Sequence, residues 1–403
     1  MQTELPASFL ATADGARADS ILRSCVHCGF CNATCPTYQL LGDELDGPRG
    51  RIYLIKDMLE SRQADPLTRR HLDRCLTCRA CETTCPSGVR YGELLEIGRE
   101  FVEGQLPRPV AQRWLRRWLL AVVPRPRRFR RWLRLGRAFR VLLPTRLKRQ
   151  LPPLPRWRRD RAAPASRPAP SRRVLLLGGC VQSASTPEVN RALAQLLESR
   201  GIDSVTCVAE VCCGSLALHL GAAGEARQTM AANATALDAE LDGVEAVIST
   251  ASGCGVTIKD YGRLLENRPE AAAAGRVAER TVDVAEYLHG LGERWQRRGP
   301  YRQVAWHAPC TLQHGQRLGS QVEALLRAAG YELVPVAEPH LCCGSAGTYS
   351  LLQPELSGRL RDRKIGALER HGPDVIATAN VGCQLHLAGA AQVPVVHWLE
   401  LLS

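Results

Sequence analysis

The sequence predicts a multidomain α and α/β protein with an N-terminal α-helical domain, a basic helical connector, and a C-terminal α/β domain that is duplicated and rich in cysteine. Three observations in its 403 residues lead to this prediction. One cysteine string occurs twice near the N-terminus, and a strongly basic segment follows. Four further cysteines then occur twice within alternating strand and helix patterns, which are typical of an α/β domain with a mainly parallel sheet.

The repeated string has the form Cys-x2-Cys-x2-Cys-x3-Cys-Pro, and its two copies lie 50 positions apart. This is the run of bacterial two-cluster ferredoxins, in which three cysteines of a string hold one [4Fe–4S] cluster and the fourth ligates the other. Such crossed ligation assigns one cluster to Cys25, Cys28, Cys31 and Cys85. It assigns the second cluster to Cys75, Cys78, Cys81 and Cys35. The alternative is a pair of zinc sites, but zinc usually takes two separated Cys-x2-Cys units, whereas each string here already supplies four cysteines.

The seventeen cysteines would suggest secretion in a short chain, but the first twenty residues hold no basic start followed by an apolar core. We therefore expect a reducing cytoplasm, where thiolates remain free for iron. No apolar run approaches the roughly 18 residues of a membrane span, so we expect no crossing of the bilayer. No dinucleotide fingerprint, phosphate loop or Ser-His-Asp order is present, and the sequence predicts no catalytic residue in this chain.

Helical patterns surround the two strings and assign residues 1–106 to one domain. Apolar residues recur with helical spacing at 51–60, 67–73 and 93–103. The phrase GPRGR at 47–51 makes the break before the first of these helices. We therefore predict an all-helical two-cluster ferredoxin domain rather than the β-rich fold of small ferredoxins.

The connector, residues 107–172, accounts for the basic charge of the chain. Residues 108–173 hold 22 Arg and Lys and one acid, Asp160, and so carry +21, which leaves −8 for the remainder of a chain with net charge +13. Four of the seven tryptophans lie here: Trp114, Trp118, Trp132 and Trp157. The spacing of apolar residues predicts two short amphipathic helices, and a Pro/Arg-rich stretch at 151–173 predicts an extended linker.

Basic amphipathic helices can lie on an anionic membrane surface, with arginine toward the head groups and tryptophan at the boundary. Three alternatives compete: docking on the acidic remainder of the chain or on a partner subunit, a solvated linker, and nucleic-acid binding. No recognition motif beyond charge supports nucleic acid, so we expect none as a partner. The expected location is the cytoplasm, at the inner face of the cytoplasmic membrane.

From residue 174 onward, apolar bursts alternate with helical patterns rich in Ala and Leu. Strands are predicted at 174–177, 204–208, 246–250, 303–306, 332–336 and 375–379. Helices are predicted at 188–199, 216–241, 321–329 and 355–370. The order of elements repeats, which predicts two related units at 173–292 and 300–403.

The cysteines show this duplication most clearly. A first set consists of Cys180, Cys212, Cys213 and Cys254. A second set, offset by 130, 130, 130 and 129 positions, consists of Cys310, Cys342, Cys343 and Cys383. We expect both Cys-Cys-Gly turns to follow a strand and both last cysteines to end one, because open α/β sheets place their sites at the carboxyl ends of strands. Each set is a candidate metal site.

With two ferredoxin strings, GPRGR and doubled Cys-Cys-Gly units in this order, the chain resembles the iron–sulfur subunit of glycolate oxidase (glycolate dehydrogenase). The phrases SCVHCGFCNATCPTY and CLTCRACETTCPSGV carry the likeness. The wider group contains an iron–sulfur subunit of anaerobic glycerol-3-phosphate dehydrogenase, lactate-utilisation proteins and proteins like the C and B components of heterodisulfide reductase. The resemblance implies that substrate is oxidised on partner subunits that hold FAD or FMN, while this chain relays electrons toward membrane quinone. Glycerol 3-phosphate or lactate as substrate, and a reductase acting at the Cys-Cys-Gly site, remain alternatives.

The chain departs from the heterodisulfide reductase B-type motif, which ends in Cys-x2-Cys. Ala251 and Asn380 stand where that motif has a further cysteine, so each half offers four thiols. An additional iron–sulfur cluster, a zinc ion, or a buried thiol pocket without metal remain open for each set, with iron favoured over zinc. His307, three residues before Cys310, could ligate a metal or move a proton, but we expect it to be a hydrogen-bonded strand-end histidine. We expect Cys207 to be structural, and His27 to face solvent or donate to a sulfide.

Overall fold

The structure is a computed structural model that describes residues 1–139 and 172–403. The predicted linker lies outside the described residues except for its last two positions, and Trp157 lies outside them too. Within the described parts, a helical N-terminal domain, two connector helices and two related α/β halves follow one another. The predicted fold class is therefore confirmed.

The N-terminal domain consists of short helices around a small apolar core. Its α-helices are Ala7–Leu10, Ala13–Ser24, Pro36–Leu41, Pro48–Ser61, Pro66–Asp73, Ala80–Thr84 and Tyr91–Gln105. Its 3-10 turns are Phe30–Thr34 and Glu44–Asp46. Pro48 and Pro66 stand in the first turns of helices Pro48–Ser61 and Pro66–Asp73, where a missing backbone N–H costs nothing. The Asp65 side chain caps helix Pro66–Asp73 by accepting from the N–H of Leu67 at 2.7 Å.

The two predicted connector helices are present at Val110–Val122 and Pro126–Ala138. Leu119, Val122 and Leu133 are buried. Trp114, Trp118 and Trp132 face outward, and the rings of Trp118 and Trp132 meet edge to face at 5.3 Å. The face that packs is thus aliphatic, and the indoles lie at the surface.

The first α/β half contains four parallel strands: β1 (Arg172–Leu176), β2 (Ile202–Val205), β3 (Ala246–Ser249) and β4 (Thr281–Asp283). Their order in the sheet is β2-β1-β3-β4. Its helices are Gln182–Ser185, Glu188–Glu198, Ser215–His219, Ala223–Asp238, Ser252–Lys259, Tyr261–Leu264, Ala271–Arg280 and Val284–Gly290.

The second half repeats this topology with strands β5 (Gln303–His307), β6 (Glu332–Leu333), β7 (Val375–Thr378) and β8 (Val395–His397). The sheet order is β6-β5-β7-β8, and all pairings within it are parallel. Its α-helices are Gln321–Ala328, Tyr349–Leu352, Pro354–Glu369 and Val381–Ala388. A π-helical turn at Thr311–Gly315 and a 3-10 turn at Trp398–Leu401 complete it.

Several sequence predictions of elements were wrong in detail. The fourth strand of each sheet was missed because a three-residue strand gives no pattern. The predicted strand at 332–336 shrinks to two residues, and Val208, predicted to lie in a strand, is 98% exposed. The single helix predicted at 216–241 is two helices separated at Gly221, whose φ is +74°. A Cβ there would come within 2.7 Å of Cγ of Glu103, so the N-terminal domain approaches too closely for a side chain.

One face of each sheet packs into an apolar core that both halves share, while the other face of each sheet packs on a core of its own. Buried residues of both halves form a single cluster that includes Val174, Val304 and Trp398. The side chain of His397, at the end of β8, reaches across to the carbonyl oxygen of Thr250 at 2.9 Å. The halves are consequently packed as a fused pair.

The N-terminal domain packs on both halves. Against the first half, the Arg227 guanidinium bonds the Glu100 carboxylate at 2.7 Å. Against the second half, the Tyr349 hydroxyl donates to the carbonyl oxygen of Arg74 at 3.1 Å. Leu76 lies in an apolar cluster with residues of the second half. The second cysteine string therefore faces the second half directly.

Candidate metal centres

Both cysteine strings of the N-terminal domain fold into the same turn. His27 and Gly29 have φ values of 60° and 84°, and Thr77 and Arg79, 50 positions later, have 53° and 60°. A Cβ at Gly29 would meet Nη1 of Arg49 at 2.7 Å, so glycine fits there for two reasons. Left-handed residues between the cysteines curl the backbone, which directs successive thiols toward one point.

The turns assemble a first thiol group from Cys25, Cys28, Cys31 and Cys85. The Cys31 thiol lies close enough to the other three to interact with each of them electrostatically. Burial raises the pKa of Cys31 to about 11 and also raises that of Cys25. Cys28 is exposed, so this group reaches the protein surface.

A second thiol group consists of Cys75, Cys78, Cys81 and Cys35. The Cys81 thiol interacts with the other three. Burial raises the pKa of Cys81 and of Cys35. Each group therefore combines three cysteines of one string with the last cysteine of the other.

The chemistry of these groups fits metal clusters. Buried thiols with raised pKa values do not ionise by themselves at neutral pH, whereas metal binding releases their protons. Four sulfurs converge in each group, and four thiolates are what a [4Fe–4S] cluster takes. Each group could therefore hold one such cluster.

Arg51 adds a buried charge beside the second thiol group. Its side chain is 1% exposed, and Nη1 lies 3.9 Å from Sγ of Cys35. Nε donates to the carbonyl oxygen of His71 at 2.7 Å, and Nη2 donates to Oγ1 of Thr37 at 3.1 Å. The Asp46 carboxylate, fully buried, accepts from Arg51 at 3.4 Å.

Asp46 is itself shared. Its carboxylate also bonds the ring of His71 at 2.9 Å and the guanidinium of Arg74 at 2.7 Å. The Tyr91 hydroxyl donates to Sγ of Cys75, in the same thiol group, at 3.6 Å. Hydrogen bonds to cluster thiolates and nearby charges both change the reduction potential of a cluster.

The first cysteine set of the α/β domain is also assembled. Sγ of Cys180 and Sγ of Cys212 lie 3.5 Å apart, and the Cys213 thiol interacts with both Cys212 and Cys254. The prediction that the last cysteine ends a strand was wrong, because Cys254 lies in the first turn of helix Ser252–Lys259. The Cys-Cys-Gly turn does not directly follow a strand either, since a loop separates it from β2.

The second cysteine set repeats this arrangement. The Cys342 thiol interacts with Cys310 and Cys343, and Cys343 interacts with Cys383. Cys383 lies in helix Val381–Ala388 and not at a strand end, and its Cys-Cys-Gly turn again follows a loop. The side-chain amide of Asn380, in the position where the longer motif has cysteine, donates to Sγ of Cys383 at 3.7 Å.

Both sets line one cavity of about 430 Å³ at the junction of the domains. The N-terminal domain contributes Cys78, and the connector contributes Val123, Phe129 and Leu133 to its wall. The Cys310 thiol interacts with Cys78 as well as with Cys342. The second thiol group thus touches the second cysteine set, and both open on the same space.

Three further residues considered from the sequence lie in different environments in the structure. Cys207 is buried, and its thiol donates to the carbonyl oxygen of Ala236 at 3.5 Å. His27 is exposed, with its ring 6.1 Å from that of Tyr53. The expectation for His307 was wrong, because its buried Nε2 has no hydrogen-bond partner in the part of the chain that the structure describes.

Sequence reasoning missed Arg51, Asp46 and Lys364. Lys364 is 3% exposed, and its ammonium interacts with the thiols of the second cysteine set. A signal for it existed, since Leu356, Leu360, Lys364 and Leu368 form one row at four-residue spacing, and a lysine in an apolar row needs a buried partner. The roles of Arg51 and Asp46 had no comparable signal, because GPRGR could be interpreted only as a helix start.

Comparisons with known proteins agree with this geometry. Residues 21–89 match the family described as "4Fe-4S dicluster domain", and residues 174–259 and 304–388 match "Cysteine-rich domain". A dicluster domain joined to a doubled cysteine-rich domain defines an iron–sulfur electron-transfer protein.

Relatives define the family more closely. The chain is 48% identical over 409 aligned positions to the glycolate oxidase iron-sulfur subunit of Escherichia coli (strain K12), covering 100% of this chain and 98% of that protein. It is 31% identical over 416 positions to the probable glycolate oxidase iron-sulfur subunit of Bacillus subtilis (strain 168), covering 94% and 93%. The chain belongs to the family of glycolate oxidase iron–sulfur subunits, and is an electron-transfer subunit of an oxidoreductase complex.

Solved structures include relatives in fold. The crystal structure of a hypothetical protein from Helicobacter pylori matches with a TM-score of 0.53 at 11% identity, covering 96% of this chain and 71% of that one. At this identity the match supports the fold alone. Among the described helices, none is both long and apolar enough to cross a bilayer.

Proposed function

We propose that this chain receives electrons from flavin-containing subunits of a glycolate oxidase complex and relays them through two [4Fe–4S] clusters toward a quinone. The first thiol group ligates one cluster and the second thiol group ligates the other, in the crossed manner of two-cluster ferredoxins. Substrate is oxidised on the partner subunits. Identity of 48% along the whole chain supports glycolate over glycerol 3-phosphate or lactate.

The contact between Cys78 and Cys310 carries the proposal. It supports a position of the second cluster against the α/β domain, and the exposure of Cys28 supports a position of the first cluster at the surface. Val26 and Phe30, which are 68% and 62% exposed, flank Cys28 as an apolar patch where an electron donor can dock. Electrons therefore enter at the first cluster and leave the second toward the cavity.

The test is reduction of the assembled complex by substrate under anaerobic conditions, followed by electron paramagnetic resonance. Glycolate should reduce both clusters, and Phe30→Ser should slow their reduction by the partner without changing reduction by dithionite. Val208→Ser is the matched control, because Val208 is 98% exposed and lies on the first α/β half, away from the apolar patch. Clusters that glycolate leaves oxidised would contradict the proposal.

A second candidate function is a reductase whose cavity handles a disulfide or quinone without a flavoprotein. The eight thiols that line one cavity favour it. Turnover by the isolated chain with an artificial electron donor would support it. Turnover that strictly requires the flavin subunits would instead support the electron-relay function.

The finer location follows from the connector. We place the chain in the cytoplasm, held at the inner face of the membrane by the outward face of the two connector helices. Trp114, Trp118 and Trp132 are 68%, 41% and 48% exposed there, and arginines surround them. Each arginine near anionic lipid contributes on the order of 1 kcal/mol, and interfacial tryptophans add anchoring.

Inner arginines of the connector have another role. Arg108 bonds the Asp73 carboxylate at 2.7 Å, and Arg116 reaches the same carboxylate at 3.3 Å. The connector is thus docked on the acidic N-terminal domain through one face, which leaves the indole face for a surface. The arginine contacts therefore support docking on the N-terminal domain, and the exposed indole face supports binding to a membrane surface.

Membrane binding is tested with a variant in which three exposed arginines of the connector, Arg113, Arg117 and Arg131, are replaced by glutamine. Binding of the full chain to vesicles with anionic lipid should fall by about two orders of magnitude, since about 3 kcal/mol is lost. The matched control replaces three exposed arginines elsewhere, Arg276, Arg302 and Arg327. Equal loss in both variants would show that only net charge matters.

We also propose the domain limits predicted from the sequence: residues 1–106, 107–172, 173–292 and 300–403. Limited proteolysis should cut first within the connector. Cleavage first inside either α/β half would contradict these limits.

A further inference from the structure

The two cysteine sets differ at one position that the duplication does not repeat. His307 ends β5, three residues before Cys310, and Leu177 stands at the matching place after β1. The strand register fixes this equivalence, because Val304 pairs with β7 as Val174 pairs with β3. An imidazole therefore occupies the second half where the first has an aliphatic side chain.

The ring of His307 is directed into the second cysteine set. One of its nitrogens and the Sγ atoms of Cys343 and Cys383 lie within 4.8 Å of one another. The residue is 2% exposed, and Nε2 has no hydrogen-bond partner among the described residues. A buried polar atom without a partner costs free energy, so the site suits a metal ion that takes nitrogen and sulfur ligands together.

A buried ammonium lies beside the same thiols. Nζ of Lys364 donates to the carbonyl oxygen of Glu338 at 2.8 Å and interacts with the thiols of Cys310, Cys342 and Cys343. The matching helix of the first half, Ala223–Asp238, contains no lysine. A divalent ion with three thiolates and a neutral imidazole carries one negative charge, which this one ammonium neutralises.

We propose that the second half binds one zinc-class divalent ion through His307, Cys343 and Cys383, with Cys342 as fourth ligand. Three thiols release their protons when the ion binds, and the neutral imidazole donates a lone pair. Zinc takes Zn–S distances of about 2.3 Å and Zn–N distances of about 2.0 Å in a tetrahedron, which places its ligand atoms roughly 3.5 to 3.8 Å apart. The group of His307, Cys343 and Cys383 admits that spacing, and the Cys342 thiol, which contacts Cys343, is the nearest thiol of the set that can complete the tetrahedron.

The inference deepens the proposed function, on which it rests, by giving the two halves different tasks. Zinc has no redox chemistry, so the ion holds the second set rigid beside Cys78. The first set offers four thiols and no nitrogen, and it alone is left to carry an iron–sulfur centre. The pair is then chemically asymmetric around one cavity.

The experiment uses the full chain purified anaerobically, with metal analysis and zinc K-edge X-ray absorption. We expect one zinc per chain with a first shell of one nitrogen and three sulfurs. His307→Ala should lose at least tenfold in zinc affinity, and His307→Cys should keep zinc with four sulfurs. Leu177→Ala, the matched change in the first half, should leave both zinc content and spectrum unaltered.

Wild-type protein without zinc, or with a shell of sulfur alone, would overturn the proposal. So would His307→Ala with unchanged zinc content and spectrum. Paramagnetic resonance of the two ferredoxin clusters on the same sample separates the two ideas. Intact clusters without zinc refute the zinc site only, whereas zinc without reducible clusters refutes the electron relay only.

Discussion

Replacing Arg51 should lower the reduction potential of one cluster and leave the other unchanged. The guanidinium is buried, and Nη1 lies 3.9 Å from Sγ of Cys35, a proposed ligand of the second cluster. Reduction adds negative charge to that cluster, and a fixed cation stabilises the reduced form. Arg51→Met removes the cation, while Asp46 keeps His71 and Arg74 as partners.

The magnitude follows from Coulomb's law. Two unit charges 3.9 Å apart interact by about 4 kcal/mol at an effective dielectric constant of about 20. The added electron is spread over a cluster whose centre is about twice as far away, which reduces this to about 2 kcal/mol. For a one-electron couple, about 1.4 kcal/mol corresponds to about 59 mV, so the expected fall is on the order of 100 mV.

The assay is a potentiometric titration followed by paramagnetic resonance, comparing wild type with Arg51→Met and Arg51→Lys. Lysine keeps the charge, so its shift should be less than half that of methionine. Arg49→Met is the matched control beside the first cluster, because Arg49 is 36% exposed and pairs with Glu44. Water screens that charge, and its removal should shift the first cluster by only a few tens of millivolts.

Three results would refute this reasoning. One is an equal shift of both clusters in Arg51→Met. Another is a shift in Arg51→Lys as large as in Arg51→Met, which would indicate lost hydrogen bonds to Thr37 and His71 rather than lost charge. The third is a larger effect of Arg49→Met than of Arg51→Met.

Three further predictions can be checked independently. Cys35→Ser should disturb the cluster built on the second string and lower the iron content below the about eight atoms that the two ferredoxin clusters contribute, and damage confined to the first string's cluster would show that ligation is not crossed. Burial lowers the pKa of His397 to about 4 from an ordinary 6.5, so folded protein is stable above pH 6.5 and loses up to about 3 kcal/mol as pH falls toward 4. Thermal melting of His397→Gln should show a shallower loss over this range, and parallel curves would contradict that cause. A fragment 173–403 should fold alone as α/β protein by circular dichroism, because both halves share one core; an unfolded fragment would mean that the N-terminal domain is needed.

Local features of the chain were predictable because their signals are local. Cysteine intervals and helical periodicity indicated the N-terminal helices, and the offset of the two cysteine sets indicated the duplication. Strands β4 and β8 were not predicted because three residues are too few to show an alternation of apolar and polar side chains. These strands are defined only by their pairing with β3 and β7. Short edge strands of this kind are products of tertiary structure.

What brings distant parts together was not predictable. The approach of Cys78 to Cys310 depends on how Leu76 packs into the second half, which no interval in the sequence encodes. The same is true of Arg51, whose partners come from three different helices or turns. That Nε2 of His307 has no hydrogen-bond partner among residues 1–139 and 172–403 becomes visible only when the space around it is known, since a strand-end histidine usually finds a hydrogen bond.

The shared core of the two α/β halves has a consequence for how they diverged. Two identical chains that pair about a twofold axis must carry the same residue in both copies, so any change appears twice. Fusion in one polypeptide removes that constraint, because each copy is encoded separately. The common core preserves the pairing while the thiol pockets change independently, and His307 opposite Leu177 is such a change. The duplicated scaffold therefore carries two unlike thiol pockets on one shared core.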